Sequence, residues 1–232
     1  MTQLPKYLLI LSLFGILIST SCSEDESPPY SYTYTYLALG DSYTIGQGVE
    51  ENERWPVILS EKLSEQGITV SLPKIIAKTG WKTSDLKSAV GRRDDIAVTY
   101  DMVSLLIGVN NQFAGRTVES FVPEFEALVD SAIMLTGDRN ERVFVLSIPD
   151  YGITRVGNPR STIISQMLDE YNAEIERVCA EKGILFFNIT EVSRLASINP
   201  EYLAPDGLHY SGIMHALWVD EIYEEVQALL VN

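Results

Sequence analysis

From Tyr36 onward, short, continuously apolar runs alternate with segments of helical periodicity. The runs are YLALG (residues 36–40), ITVSLPKIIAKTG (68–80, in part), YDMVSLLIG (100–108), RVFVLSIPD (142–150) and ILFFNIT (184–190). Between the first two, WPVILSEKLSEQG repeats Val57, Ile58, Leu59 and Leu63 at helical spacing and stops at Gly67. Thr83 or Ser84 can cap a short helix through Val90. Longer helices are expected over 118–135 and 162–182, the second stopping at Gly183, and a last one from about Ser211. Strands separated by helices pair in parallel, because each return crossing needs a helix. Continuous apolarity means that helices cover both faces. The expectation is one three-layer α/β/α domain over residues 34–232 with about five parallel strands. No internal repeat or mid-chain linker interrupts it.

In such sheets ligands bind beyond the carboxyl ends of the strands. The residues at those ends are Gly40-Asp41-Ser42, Thr79-Gly80, Gly108-Val109-Asn110-Asn111 and Pro149-Asp150-Tyr151. They are far apart in the chain and should converge along one edge.

The N-terminal residues read differently. Lys6 precedes the apolar run LLILSLFGILI, which has the length of a signal-peptide core and is short for a membrane span. STSC, ending at Cys22, resembles the lipobox of bacterial lipoproteins, although Ser19 and Thr20 depart from its usual residues. The following SEDE resembles the surface-export tag of Bacteroidota lipoproteins. This implies a signal peptide over 1–21, lipidation at Cys22 and an acidic, Pro-containing tether over 22–33. The protein is then exported and held at the bacterial outer membrane by its lipid, facing either the periplasm or the cell surface. If Cys22 is lipidated, Cys179 has no partner and reads as a small buried residue. A formal net charge of −15 excludes nucleic acid as a partner, since phosphate binding needs clustered Lys and Arg.

A serine hydroxyl at a strand end becomes a useful nucleophile only beside a base. The chain has two histidines. His209 stands three residues after Asp206 in APDGLHYSG, where the carboxylate can reach Nδ1 and leave Nε2 free to accept a proton. His215, in MHALWVDEI, reads as a helix-surface or core-edge residue. Ser42 N–H, Gly80 N–H and the Asn110 amide are candidate donors to an oxyanion. GDSYTIGQG lacks the Lys of a phosphate loop, and Thr44 replaces the second glycine of the G-x-S-x-G elbow. No cluster has metal-ligand spacing, and neither metal nor cofactor is expected.

Taken together, GDSY, AKTGW, GVNN and DGLHYS resemble the four blocks of the SGNH (GDSL) hydrolase superfamily, in order. The resemblance spans residues 34–231. It implies a flavodoxin-like fold, Ser42 as nucleophile, Asp206 and His209 completing a triad, and Gly80 and Asn110 as oxyanion donors. The expected activity is a serine esterase acting on acyl lipids, lysophospholipids or acetylated glycans. The alternative is a non-catalytic glycan-binding surface lipoprotein on the same fold. Asn111 departs from the Asp frequent in the third block, which affects local loop hydrogen bonding. Asp41 is expected to hold its loop, Trp81 is a candidate pocket wall or a core residue, Tyr151 is a candidate pocket wall, and residues 152–160 form a candidate lid or a plain connection. Tyr30, Tyr32 and Tyr34 read as strand packing, and Asp220, Glu221, Glu224 and Glu225 as a solvated helix face.

Overall fold

The computed structural model describes residues 33–92, 96–158 and 160–231. The expected signal peptide, Cys22 and nearly all of the tether, with Tyr30 and Tyr32, lie outside the described residues. Five strands form: β1 (Tyr36–Gly40), β2 (Lys74–Ala77), β3 (Met102–Leu106), β4 (Val143–Leu146) and β5 (Leu185–Phe187). They pair in the order β2-β1-β3-β4-β5, every neighbouring pair parallel. This is the flavodoxin-like order, and it puts the switch point between β1 and β3, where a crevice opens at the carboxyl edge.

The helices are α1 (Ser42–Ile45), α2 (Trp55–Glu65), α3 (Thr83–Arg92), α4 (Val109–Phe113), α5 (Val118–Leu135), α6 (Ser161–Lys182), α7 (Thr190–Arg194) and α8 (Gly212–Val231). α2 packs on α8, while α5 packs on both α3 and α6. These two sets are the outer layers that right-handed crossovers produce when the strand order reverses after β2. Residues of β1, β3 and β4 are wholly buried, whereas the edge strands β2 and β5 are partly exposed. The apolar-run expectation therefore holds for the centre of the sheet and weakens at its edges, where only one neighbour strand is present. Thr83 opens α3, and Gly183 ends α6 in the left-handed conformation at φ 65°. The Tyr34 hydroxyl donates to the Leu230 carbonyl at 3.0 Å, and Tyr34 bridges Val70 just outside the sheet. Cys179 is buried, as its apolar helical setting implied, and burial pushes its thiol up to about 12.

His215 corrects the sequence reading. It is neither on the helix surface nor at the core edge but fully buried, its Nδ1 2.9 Å from the Glu53 carbonyl and its ring 4.9 Å from that of Trp218. The face of α8 that carries it is covered by the α2 layer, which a helical period alone does not reveal. Burial lowers its pKa to about 4. The unfolded chain therefore binds a proton near pH 6.5 that the folded chain refuses. Stability from this group is complete above pH 6.5 and is lost as pH falls toward 4, by about 1.4 kcal/mol per unit. Between pH 7 and pH 4.5 the urea midpoint of wild type is expected to fall further than that of His215→Asn. The difference should be on the order of 2–3 kcal/mol, and equal falls would contradict the assignment.

Candidate active site

Gly40 ends β1 where a side chain cannot fit: a Cβ there would lie 2.5 Å from the Leu106 carbonyl oxygen of the neighbouring strand. The chain then turns at once into α1, placing Ser42 at its first position with Asp41 as the cap. Asp41 Oδ1 accepts from Tyr43 N–H at 3.1 Å. Asp41 thereby holds the serine turn as the cap of α1, the loop-holding role expected for it. Burial pushes its carboxyl up to about 7, against the pull of the Tyr43 N–H.

After β2, Gly80 has φ 82°, and no atom stands where its Cβ would be. Its backbone is thus open to close approach. After β3, Gly108 turns the chain into α4, where Asn110 Nδ2 donates to the Trp81 carbonyl at 3.0 Å. One hydrogen bond thus joins the second and third blocks and fixes the amide plane. Asn111 is buried and exchanges two bonds with Thr83: it accepts from Thr83 N–H at 3.1 Å and donates to Oγ1 at 2.7 Å. The Thr83 hydroxyl in turn donates to Glu124. An amide suits this position because a second carboxylate would face Glu124 across one hydroxyl.

Asp206 forms an Asx turn, Oδ1 accepting from the N–H groups of Leu208 and His209 at 2.9 Å each. Its Oδ2 lies 2.6 Å from His209 Nδ1. Partial burial pushes the Asp206 carboxyl up, but the His209 ring and the two backbone N–H groups outweigh it and hold it below its ordinary value. Tyr43 meets the His209 ring edge-on at 5.9 Å between centroids. Ser42, Gly80, Asn110 and His209 come together on one pocket of about 130 Å³, with Thr79, Val109 and Phe113. Four segments widely separated in sequence therefore share one cavity at the carboxyl edge. No hydrogen bond joins Ser42 to His209 among the described residues. Such contacts commonly close only when substrate binds.

The model of the GDSL-like lipase/acylhydrolase family matches residues 38–217. The chain belongs to that family. Among solved structures it is similar to a lipase/acylhydrolase from Enterococcus faecalis, at 20% identity and TM-score 0.64 over 84% of this chain and 96% of that one. It is similar to phospholipase A1 from Streptomyces albidoflavus NA297, at 18% identity and TM-score 0.64 over 84% and 98%. It is also similar to an acetylxylan esterase from Geobacillus stearothermophilus, at 18% identity and TM-score 0.62 over 83% and 94%. No curated protein matches the sequence.

In this GDSL-like hydrolase, Tyr151 lines the pocket as expected, its hydroxyl donating to Gln112 at 2.7 Å. Trp81 does not line it: its ring packs against the core, and its contribution to the site is the carbonyl that holds Asn110. Residues 152–158 fold back tightly on themselves. Thr154 Oγ1 donates to the Tyr151 carbonyl and accepts from Gly157 N–H, and a Cβ at Gly157 would lie 2.3 Å from that same carbonyl.

The sequence reading gave Asp150 no role of its own. It joins the ends of several elements: its N–H donates to Ser193 Oγ, its carboxylate accepts from Gly152 N–H and Arg194 Nε, and its carbonyl accepts from the Tyr210 hydroxyl at 2.8 Å. Through Tyr210 it supports the segment carrying His209. The run IPDYG at a strand end was the available signal; Arg194 and Ser193 gave none. Among the described residues no group of three or more His, Cys, Asp or Glu could hold a metal ion.

Proposed function

We propose that this hydrolase is a serine esterase that cleaves carboxylic esters through an acyl-enzyme. The observation that carries the reading is the 2.6 Å contact between Asp206 and His209 Nδ1, with His209 sharing a pocket with Ser42, Gly80 and Asn110. Asp206 holds the ring so that Nδ1 keeps its proton and Nε2 is the basic nitrogen. Nε2 takes the Ser42 proton as Oγ bonds to the ester carbon. The carbonyl electron pair moves onto oxygen, where the N–H groups of Ser42 and Gly80 and the free Asn110 N–H stabilise it. As the pair returns, the bond to the alcohol oxygen breaks and His209 delivers its proton to that oxygen. Water, deprotonated by the same nitrogen, then releases the acid and restores Ser42.

The pocket of about 130 Å³ is small beside the adjoining groove of about 390 Å³, which favours a short acyl part, acetyl to butyryl. An acetylated glycan fits this better than a long-chain lipid. On p-nitrophenyl esters from acetate to palmitate, kcat/KM is expected to peak at two to four carbons; a maximum at long chains would overturn the short-acyl assignment. Asn110→Ala should lower kcat on the order of a hundred- to a thousandfold with little change in KM. A serine-directed fluorophosphonate should label wild type and not Ser42→Ala. Absence of labelling in wild type would favour a non-catalytic glycan-binding protein.

We further propose export and lipid anchoring at Cys22, supported by the apolar run, STSC and SEDE. Incorporation of labelled palmitate in a bacterial host should be lost in Cys22→Ala.

A further inference from the structure

We propose that the ester bears an anionic group on its alcohol side and that Arg160 reads it. A groove of about 390 Å³ adjoins the reactive pocket, and the two share Phe113 and Tyr151 as walls. This volume is in the range of small-molecule sites, whereas the reactive pocket, at about 130 Å³, is the smaller of the two and suits the acyl group. With the acyl group in the smaller cavity, the alcohol portion is directed into the larger one. The groove is mostly apolar, with Ile163 and Met167 on one side and the Gln112 amide near the junction. Among the described residues lining either cavity, Arg160 alone carries a fixed charge.

The molecule around that charge is acidic. The chain holds 32 acidic against 17 basic residues; Arg54, Lys62, Arg177, Lys182 and Arg194 are paired with carboxylates, whereas Arg160, which is exposed, is one of several described basic residues, with Arg116 and Arg155, that are in no ion pair. Arg160, at the start of α6, has no ion-pair partner among the described residues and no acidic residue in the first turn beside it. The helix dipole does not favour a cation there either. A guanidinium offers paired N–H donors that match a carboxylate, sulfate or phosphate, and it lies beside a slot able to seat the body of such a molecule. An anionic ester therefore meets a complementary charge in a protein whose overall field would repel it.

The inference rests on the esterase reading for the orientation of acyl and alcohol parts. Its test compares kcat/KM for 4-acetoxybenzoate, charged on the leaving group, with that for methyl 4-acetoxybenzoate. Wild type, Arg160→Gln and Arg160→Lys are measured, so that intrinsic ester reactivity cancels between proteins. The charged-to-neutral ratio is expected to drop about tenfold or more in Arg160→Gln, to recover in part in Arg160→Lys, and to shrink in wild type as salt is raised. A ratio unchanged by Arg160→Gln overturns the proposal. Should no ester be cleaved, the esterase reading fails by itself. Calorimetric binding of 4-acetoxybenzoate to Ser42→Ala then decides: loss of binding in Ser42→Ala/Arg160→Gln supports the anion site, and equal or absent binding sinks it.

Discussion

Ser42→Ala protein, lacking residues 1–21, is expected to hydrolyse p-nitrophenyl butyrate at the background rate, a loss on the order of 10⁴-fold or more in kcat. The effect is large because, among the described residues, no other hydroxyl on the pocket has a base held as His209 is held by Asp206, although Tyr43, Thr79 and Tyr151 share it. Ser42 begins a short helix in a turn fixed by the Asp41 carboxyl and by Gly40, so trimming one oxygen leaves the backbone supports in place. Far-ultraviolet circular dichroism and the unfolding midpoint should therefore match wild type. Asp206→Asn should also fold but lose a comparable factor, because an amide can present its N–H to Nδ1 and select the wrong tautomer. If Ser42→Ala retains wild-type turnover, the nucleophile is another group and the proposed mechanism is wrong.

Gly40→Ala is expected to cost about 3 kcal/mol or more. The added Cβ would stand 2.1 Å from Thr44 Oγ1, which can rotate, and 2.5 Å from the Leu106 carbonyl oxygen, which is backbone and cannot. Strands β1 and β3 would have to part where they are paired and buried on both faces. The shift would also move Ser42, two residues on, so activity should fall with stability. Gly91→Ala provides the contrast: no atom lies within 4 Å of its added Cβ, and it sits inside α3. There alanine should stabilise by about 0.5–1 kcal/mol. Urea titrations of both variants test the pair. Similar midpoints for the two would show that the β1–β3 junction tolerates expansion.

Much of the architecture was legible because strand and helix periods differ and because a parallel sheet buries its strands on both faces. The runs at Tyr36, Met102 and Val143 are the three central strands, and the helix expected over 118–135 has those bounds. The site was legible in part for a related reason: Gly, Asp, Ser and Asn at strand ends are residues that a buried strand would not carry. His215 was misjudged because its helix is covered by a layer from elsewhere in the chain, and one helical turn does not say which face is covered. Trp81 was left open between pocket wall and core packing because adjacency to Gly80 in sequence does not fix which way a ring points; it packs against the core.

The order of short apolar runs, small residues and helical segments was enough by itself to determine the layered parallel fold and to single out the residues proposed here for ester chemistry. Those properties are local, set by side-chain period and by the backbone freedom of glycine. Tertiary structure alone decided that Asn110 is held by the Trp81 carbonyl, that Asp150 braces the histidine segment through Tyr210, and that Arg160, in no ion pair among the described residues, lines a groove beside the reactive pocket. Each joins elements dozens of residues apart, and such contacts exist only once the sheet has brought its carboxyl ends to one edge.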